Sequence, residues 1–199
     1  MRVDLVRHGA TAGNGQKRYL GGSTDEPLSA SGIAALRALP ADRAVALVYV
    51  SPLQRAVETA RILFPEAEIV RVRALREMEF GSFERKNADE LCSDGAYRSW
   101  VDGGCEGRCP GGESRGEFVD RCVRAFLACM AKEEERGADR AVFAVHGGTI
   151  MAILSELADP AIPYFEASVP PGGRWECDWD GKRLVGAHRT AEGAAPCSR

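Results

Sequence analysis

Three short apolar runs, each followed at once by polar or charged residues, constrain the fold of this chain more than any other feature. The first run holds Val3, Leu5 and Val6, and the other two span residues 45–50 and 141–145. The second and third runs are continuous, and continuous apolar runs of about four to eight residues are typical of strands that helices cover on both faces, as in a parallel sheet. The sequence therefore predicts a set of buried strands.

Amphipathic patterns between these runs predict helices. Ser51 and Pro52 favour a helix start, the serine as a cap and the proline in the first turn. The other predicted helices begin near residue 31 or span residues 113–136 and 149–157, and two strand-like segments at 174–179 and 183–187 flank the turn signal Asp180-Gly181. Strands that alternate with helices indicate an α/β fold, a three-layer sandwich with a mostly parallel central sheet flanked by helices.

The residues that follow the apolar runs are candidates for a single site. Arg7 and His8 follow the first run, Arg55 comes shortly after the second, and His146 follows the third. Ligands of an open α/β sheet bind beyond the carboxyl ends of its strands, so we expect these four side chains at one edge. Two guanidinium groups, two imidazoles and the free amides of two helix N-termini would suit a phosphate.

Each of these four residues also has a purely structural explanation, in which it takes no part in a site. Taken alone, Arg7 fits a solvated strand end, and His8 fits a hydrogen-bonded core histidine. Arg55 fits a surface ion pair on a helix, and His146 followed by two glycines fits a simple turn. All four explanations would have to hold together at corresponding strand ends, and that coincidence favours one site.

Six motifs follow one another along most of the chain. They are residues 5–11 (LVRHGAT) with Asn14 behind them, 21–29 (GGSTDEPLS), 51–60 (SPLQRAVETA), 75–81 (LREMEFG), 110–114 (PGGES) and 145–148 (VHGG). In this order they closely resemble the histidine phosphatase superfamily, which includes cofactor-dependent phosphoglycerate mutases, sugar-phosphate phosphatases and α-ribazole phosphatases. The resemblance implies a phosphoglycerate mutase-like fold and a phosphoryl-transfer activity.

The resemblance implies that His8 is the nucleophile, whose neutral imidazole attacks phosphorus and forms a phosphohistidine. The Gly9 carbonyl would fix the ring of His8, and Arg7 and Arg55 would hold the phosphoryl oxygens through forked donors. His146, protonated in the complex, would donate to the same group. The implied phosphate-binding set is Arg7, Asn14, Gly21, Arg55, His146 and Gly147.

A leaving alkoxide needs a proton, and the resemblance implies an acid within residues 75–81. Glu77 matches the family position, Glu79 is its rival, and Glu77 has a structural alternative as the partner of a nearby arginine. A carboxyl that acts as an acid near neutral pH needs a raised pKa, which a dry cleft can supply. The resemblance implies no metal and no other cofactor. The third histidine, His188, is predicted to lie on the surface.

The segment 75–84 looks most like that of α-ribazole phosphatases and their broad-specificity relatives, with Phe83 where those carry Trp and Arg85 where they often carry Gly. It is less basic than the corresponding stretch of phosphoglycerate mutases, and the chain is shorter than those mutases. We therefore expect a phosphomonoesterase for a small phosphate ester, with α-ribazole 5′-phosphate as the substrate. The alternatives are a mutase that returns the phosphoryl group to substrate and a non-catalytic phosphate-binding module, which the presence of His8 and Arg55 disfavours.

Residues 1–190 are predicted to form a single domain, with residues 87–112 as a lid or specificity insertion and residues 191–199 as a flexible tail. Tyr97 and Trp100 of the lid either stack on a base or sugar of the substrate or anchor a lid helix. The sequence does not decide between a monomer and a homodimer.

The amino-acid composition limits the classes of binding partner and the cellular compartment that we expect. The chain has 199 residues, with 26 basic and 29 acidic side chains and a net charge of −3, which argues against a non-specific nucleic-acid binder. No apolar run reaches the roughly 18 residues of a membrane helix. The seven cysteines, an odd number without a signal peptide, favour the reducing cytoplasm over a disulfide framework. The expected partner is a small-molecule phosphate ester, with no nucleic acid and no membrane.

Overall fold

One mixed β-sheet organises residues 1–190, which are the residues that the computed structural model describes. Its strands are β1 (Arg2–Arg7), β2 (Leu47–Val50), β3 (Glu68–Arg71), β4 (Arg140–Val145), β5 (Ala158–Asp159), β6 (Arg174–Trp179) and β7 (Leu184–Arg189). The α-helices of the described residues are α1 (Ala12–Gly15), α2 (Ala30–Arg37), α3 (Gln54–Leu63), α4 (Ala88–Leu91), α5 (Gly95–Asp102), α6 (Arg115–Glu135) and α7 (Gly147–Leu157). The predicted α/β architecture, with helices around a central sheet, is confirmed.

The strands are arranged in the order β3-β2-β4-β1-β6-β7-β5. Strands β1 to β4 pair in parallel, whereas β6 pairs antiparallel with both β1 and β7. The predicted hairpin is present, because β6 and β7 flank a turn in which the backbone N–H of Asp180 donates to the Arg183 carbonyl oxygen (3.1 Å). The parallel half of the sheet carries the strand ends at which we expect the site.

Side chains alternate between the two faces of the central strands. Leu5 and Phe143 belong to an apolar cluster with residues of α6 and α7, whereas Val6 and Ala144 belong to a second cluster with residues of α2 and α3. Both faces are therefore covered by helices. This burial explains why β2 and the interior of β4 are continuously apolar rather than alternating. Strand β1 departs from that pattern at the buried Asp4, which pairs with Arg2 (2.9 Å) and Arg140.

The edge strand β3 has no counterpart among the predicted elements. Its sequence, EIVR, is charged at both ends, and Ile69 and Val70 are only partly buried. An edge strand packs against fewer neighbours than a central one, so it needs fewer apolar residues. It therefore lacks the apolar run from which the central strands are predicted.

The predicted helix start at Ser51 is wrong, because α3 begins at Gln54 with Leu53 as its N-cap residue. The backbone N–H of Gln54 donates to the carboxylate of Asp25 (2.6 Å), which reaches it from a loop distant in sequence. The side chain of Asp25, which is distant in sequence, thus caps the helix in place of the predicted cap residue Ser51. The Ser51 hydroxyl oxygen instead lies 2.6 Å from Nε2 of His146.

Residues 87–112 contain the two short helices α4 and α5. Tyr97 and Trp100 of α5 are buried, and they share an apolar cluster with Phe83 and Phe118. These rings attach the insertion to the rest of the chain. Its function as a lid stays a prediction.

Three further predictions concern the chain as a whole. The single-domain organisation stays a prediction. The tail predicted at residues 191–199 lies outside the described residues. Among the helices of residues 1–190, none is long and apolar enough to cross a membrane.

Candidate active site

The carboxyl ends of the paired strands β1 and β4 bring two histidines together. Arg7 lies opposite Val145 in the parallel register, and the backbone N–H of His8 donates to the Val145 carbonyl oxygen (2.9 Å). The ring centroids of His8 and His146 lie 5.1 Å apart, with their planes at 64°. Both rings are buried. The pair of imidazoles expected at this sheet edge is therefore present.

One ring nitrogen of His8 is free to attack a ligand. Nδ1 lies 2.7 Å from the carbonyl oxygen of Gly9, which is the predicted contact, so Nδ1 carries the proton and donates it. Nε2 therefore keeps its lone pair. Burial and the nearby charges of Arg55 and Arg7 hold the pKa of His8 well below the usual 6.5. A neutral imidazole with a free nitrogen is the form that nucleophilic attack requires.

His146 is fully buried, and its ring nitrogen Nε2 lies 2.6 Å from the Ser51 hydroxyl oxygen. Its pKa also lies well below 6.5, because of burial and because Arg55 and His8 are close to it. The ring is therefore neutral in this structure. A phosphate dianion beside it would favour the charged form. The protonation of His146 in the complex stays a prediction.

Arg55 is fully buried on α3 and holds the loop between α1 and α2. Its Nη1 donates to the carbonyl oxygen of Thr24 (2.6 Å), and its Nη2 donates to those of Leu20 (3.2 Å) and Gly21 (3.1 Å). The explanation of Arg55 as a surface ion pair is therefore wrong. The N–H of Gly21 donates to the Glu84 carboxylate (2.9 Å), so phosphate binding by Gly21 stays a prediction.

Arg7, Asn14 and Gly147 line the same cavity as His8. The Asn14 side-chain oxygen accepts from the backbone N–H of Thr11 (3.1 Å), which leaves its amide nitrogen as the donor for a ligand. A Cβ atom on Gly147 would lie 3.2 Å from Nε of Arg7, so the glycine leaves room beside that guanidinium. The structure thus brings together three of the residues predicted to bind phosphate.

Three buried nitrogen atoms of this site have no hydrogen-bond partner within residues 1–190. They are Nε of Arg7, Nε of Arg55 and Nδ1 of His146. A buried polar atom without a partner costs roughly 1–3 kcal/mol, and more when the group is charged. Two of these groups are cationic, so the oxygens of an anion bound beside Arg7 in the cavity would lower this cost. Phosphate is therefore the ligand that this arrangement fits best.

Glu77 is the carboxyl that faces the cavity. Its two oxygens accept the backbone N–H groups of Met78 and Gly148, each at 3.0 Å. Burial raises the pKa of Glu77, as a general acid near neutral pH requires. The rival Glu79 pairs with Arg76 (2.9 Å) and does not line the cavity. The geometry therefore favours Glu77 over Glu79 as the acid.

Arg121 holds the segment that carries Glu77, although it belongs to none of the six sequence motifs. It donates to the carbonyl oxygens of Ala74 (2.7 Å) and Glu77 (3.3 Å), and it forms a half-buried ion pair with Glu113 (2.7 Å). A signal for Arg121 does exist in the sequence. The residue lies three positions after the buried Phe118, on the apolar face of α6, where a charged side chain is unusual.

A cavity of about 360 Å³ extends from the phosphate-binding residues to an apolar wall. That volume suits a small molecule. Trp100 lines the cavity, whereas the hydroxyl of Tyr97 is hydrogen-bonded to that of Tyr19 (2.9 Å) and its ring lies behind the wall. Both residues therefore anchor the insertion, and Trp100 is the one of the two that also lines the cavity, so ligand contact by Trp100 stays a prediction. The apolar and aromatic lining residues are Tyr19, Leu20, Met78, Phe80, Trp100, Phe118, Met151, Tyr164 and Phe165.

Replacing Gly148 by alanine is expected to lower kcat/KM for an alkyl phosphate by about 10- to 100-fold. The added Cβ would lie 2.3 Å from Oε1 of Glu77, so the carboxyl has to move away from the helix amide that holds it. Steady-state kinetics would measure the loss. Gly116→Ala is the matched control, because Gly116 is also the second residue of its helix and a Cβ there meets nothing within 4 Å. Equal kinetics for the two variants would contradict this account of Glu77.

Acidification from about pH 7.5 to about pH 5.5 is expected to lower the free energy of unfolding by roughly 1–2 kcal/mol. The pKa values of His8 and His146 lie well below 6.5, so the unfolded chain binds more protons than the native state below that pH. The contribution of these two histidines to the free energy of unfolding is complete above pH 6.5 and is lost as the pH falls. The raised pKa of Glu77 acts in the opposite direction above pH 4.5, but one carboxyl opposes two imidazoles.

Urea unfolding at both pH values would measure this pH dependence. In His146→Gln, one of the two buried imidazoles is gone, so the stability difference between the two pH values should shrink by roughly 1 kcal/mol. His188→Gln is the control, since His188 is exposed on β7 and should leave the difference unchanged. If His146→Gln keeps the wild-type difference in unfolding free energy between the two pH values, the buried His146 ring does not cause the pH dependence of stability.

Two predictions concern features outside the site. His188 is exposed, as predicted, and its Nδ1 lies 3.0 Å from the Gly186 carbonyl oxygen. Within residues 1–190, no three His, Cys, Asp or Glu side chains are grouped so that they could hold a metal ion. Catalysis without a cofactor stays a prediction.

Comparison with known proteins gives two kinds of match. A model of the histidine phosphatase superfamily (branch 1) matches residues 3–184. A 2,3-bisphosphoglycerate-dependent phosphoglycerate mutase 2 from Gloeobacter violaceus is 35% identical over 164 residues, which cover 77% of this chain and 74% of that protein.

Solved structures are similar over almost the whole chain. A phosphoglycerate mutase from Thermus thermophilus is 33% identical, with a TM-score of 0.69 and coverage of 96% of this chain and 99% of that one. An α-ribazole phosphatase from Shigella flexneri is 26% identical, with a TM-score of 0.77 and coverage of 92% and 93%. The similar proteins thus include both a mutase and a phosphatase.

Proposed function

Since this chain belongs to the histidine phosphatase superfamily, we propose that it hydrolyses a small phosphate monoester through a phosphohistidine on His8. The observation that carries the proposal is the neutral His8 ring, whose free Nε2 lies in a site with three buried nitrogens that lack a partner within residues 1–190. A nucleophile among unsatisfied donors suits a phosphoryl group that is being transferred.

In the first half-reaction, Nε2 of His8 attacks phosphorus, and the bond between phosphorus and the ester oxygen breaks. Arg7 and Arg55 stabilise the charge on the non-bridging oxygens. The protonated carboxyl of Glu77 gives its proton to the leaving oxygen, so an alcohol departs and a carboxylate remains. The raised pKa of Glu77 supports this role, because a larger share of the carboxyl then holds a proton near neutral pH.

In the second half-reaction, water attacks the phosphorus atom of the phosphohistidine. The carboxylate of Glu77 takes a proton from that water, and the bond between phosphorus and Nε2 of His8 breaks. Inorganic phosphate leaves, the imidazole regains its lone pair, and the acid is protonated again. The cycle therefore needs only the ester and water.

Two arginines that line the cavity, Arg18 and Arg115, define what we call its outer end, and their pairing favours a phosphatase over a phosphoglycerate mutase. Arg18 pairs with Glu90 (2.7 Å), and Arg115 pairs with Glu106. A phosphoglycerate carries a carboxylate in addition to its phosphate, and both of these outer arginines already have a carboxylate partner. The mutase is nevertheless the second candidate, because a protein with that name is 35% identical to this chain. A substrate hydroxyl would then take the place of water.

For the substrate we propose α-ribazole 5′-phosphate. Residues 75–84 resemble those of α-ribazole phosphatases, and a structure described by that name is similar over 92% of this chain. We also propose that the enzyme acts in the reducing cytoplasm, since the six cysteines within residues 1–190 are free thiols.

The test is phosphate release from a panel of esters, with and without a chelator. The panel holds p-nitrophenyl phosphate, α-ribazole 5′-phosphate, 3-phosphoglycerate and several sugar phosphates. We expect release that survives the chelator, with a preference of about 100-fold or more for one ester. Conversion of 3- to 2-phosphoglycerate without release would favour the mutase. Phosphate binding without either reaction would favour the non-catalytic module.

A further inference from the structure

We propose that the outer end of the cavity selects esters whose alcohol carries an uncharged aromatic ring, and that Phe165 is the residue that determines this preference. The inference deepens the proposed function and rests on it for the identity of the reaction. It concerns the part of the substrate that does not react, which the phosphate-binding residues do not contact.

Three aromatic rings from separate parts of the chain form one wall of the cavity. Tyr19 follows α1, Phe80 lies between β3 and α4, and Trp100 belongs to α5. Their ring centroids lie 5.1 Å (Tyr19 to Phe80), 5.9 Å (Tyr19 to Trp100) and 6.4 Å (Phe80 to Trp100) apart, with interplanar angles of 56° to 79°. Tilted rings at this spacing present both faces and edges, which suit a further ring better than a saturated group.

The polar atoms of this wall already have partners within the protein. The Tyr19 hydroxyl is hydrogen-bonded to that of Tyr97 (2.9 Å), and Nε1 of Trp100 donates to the Gly107 carbonyl oxygen (3.1 Å). The wall therefore offers π surface to a ligand in place of hydrogen-bond donors. A polyhydroxyl group such as a simple sugar would lose hydrogen bonds to water there without replacing them.

Phe165 is the exposed aromatic residue at the cavity. It lies in the 3-10 turn Tyr164–Ala167, lines the cavity and is 57% exposed. Its ring is perpendicular to that of Tyr164 (5.2 Å between centroids, 89°), and the Arg115 guanidinium lies 5.7 Å from the ring centroid of Phe165. A ligand ring against Phe165 would remove this exposed apolar surface from water.

The outer charges are consistent with an uncharged ring. The Arg115 guanidinium stacks 5.0 Å from the ring centroid of Tyr164 and pairs with Glu106, so its charge is both neutralised and held in place. Arg18, the other outer arginine, pairs with Glu90. An anionic alcohol group would have to compete with these carboxylates, whereas a neutral ring does not.

The test compares benzyl phosphate with cyclohexylmethyl phosphate. Their alcohols have similar size and basicity, so a difference in kcat/KM reports the aromatic ring itself. We expect wild type to prefer the benzyl ester by about tenfold and Phe165→Ala to reduce that ratio below about threefold. Phe165→Tyr keeps the ring and should keep the preference. Leu127→Ala is the matched control, because Leu127 is another exposed large apolar residue but does not line the cavity.

Binding of the non-hydrolysable benzylphosphonate and cyclohexylmethylphosphonate, measured by calorimetry, separates this inference from the proposed function. Should wild type hydrolyse no ester but bind benzylphosphonate more tightly, and Phe165→Ala lose that difference, the proposed function fails and the aromatic preference stands. An equal ratio in wild type and Phe165→Ala, in kinetics or in binding, overturns the role of Phe165 in the inference while leaving the phosphatase intact. A ratio near one in wild type overturns it as well.

Discussion

Replacing His8 by alanine is expected to lower the rate of phosphate release by at least about 10⁴-fold, because the proposed mechanism forms the covalent intermediate on Nε2 of His8. Nδ1 of His8 is fixed by the Gly9 carbonyl oxygen (2.7 Å), and Nε2 is the atom left to attack. The measurement is kcat for p-nitrophenyl phosphate and for the best ester of the panel. Mass spectrometry of acid-sensitive phosphoenzyme would show its loss in the variant.

The matched control is His188→Ala, because His188 is an exposed histidine far along the chain on β7. This variant should keep wild-type turnover and wild-type phosphoenzyme. Thermal unfolding of His8→Ala would establish that the variant is folded, since His8 is buried. Turnover near the wild-type rate in folded His8→Ala would exclude the covalent mechanism.

Replacing Glu77 by glutamine is expected to lower turnover of an alkyl phosphate by about 10³-fold, because an alkoxide is a poor leaving group without a proton donor. The buried carboxyl accepts the N–H groups of Met78 and Gly148, and its pKa is raised by burial. p-Nitrophenolate leaves without a proton. With p-nitrophenyl phosphate, Glu77→Gln should therefore release about one equivalent of p-nitrophenol in a rapid burst and then stall as the phosphoenzyme.

Rapid-mixing absorbance at the p-nitrophenolate band would measure the burst. Glu79→Gln is the control for the neighbouring carboxyl, which pairs with Arg76 and does not line the cavity. It should keep both the alkyl and the p-nitrophenyl rates within about twofold of wild type, as is usual for a residue away from the reacting atoms. A large loss in Glu79→Gln with little loss in Glu77→Gln would reverse the assignment of the acid.

The parallel half of the sheet could be predicted from the sequence because strands buried on both faces are rich in apolar residues. Strands β2 and β4 have continuous apolar stretches, whereas β1 is apolar except for the buried Asp4. The residues behind all three lie where parallel strands end. Arg7, His8 and His146 follow from that geometry. The edge strand β3 could not be predicted because it is partly exposed and therefore has no apolar run.

Contacts between residues far apart in sequence explain what else could not be predicted. The start of α3 is capped by Asp25, and the segment carrying Glu77 is held by Arg121 from α6. Neither contact follows from a local pattern. The aromatic wall likewise draws Tyr19 and Trp100 from distant segments, and their common function appears only when the chain is folded.

The hydrogen bond from the His8 backbone to Val145 has a consequence for how this architecture can diversify. The spacing of the two imidazoles is set by the repeat distance between adjacent strands, which side-chain substitutions elsewhere do not alter. Most of the remaining cavity lining comes from loops and short elements, among them the turn with Phe165, and α6 and α7 add Phe118 and Met151. Reaction chemistry and substrate choice therefore lie on separable parts of the molecule. An engineer could exchange the second without rebuilding the first.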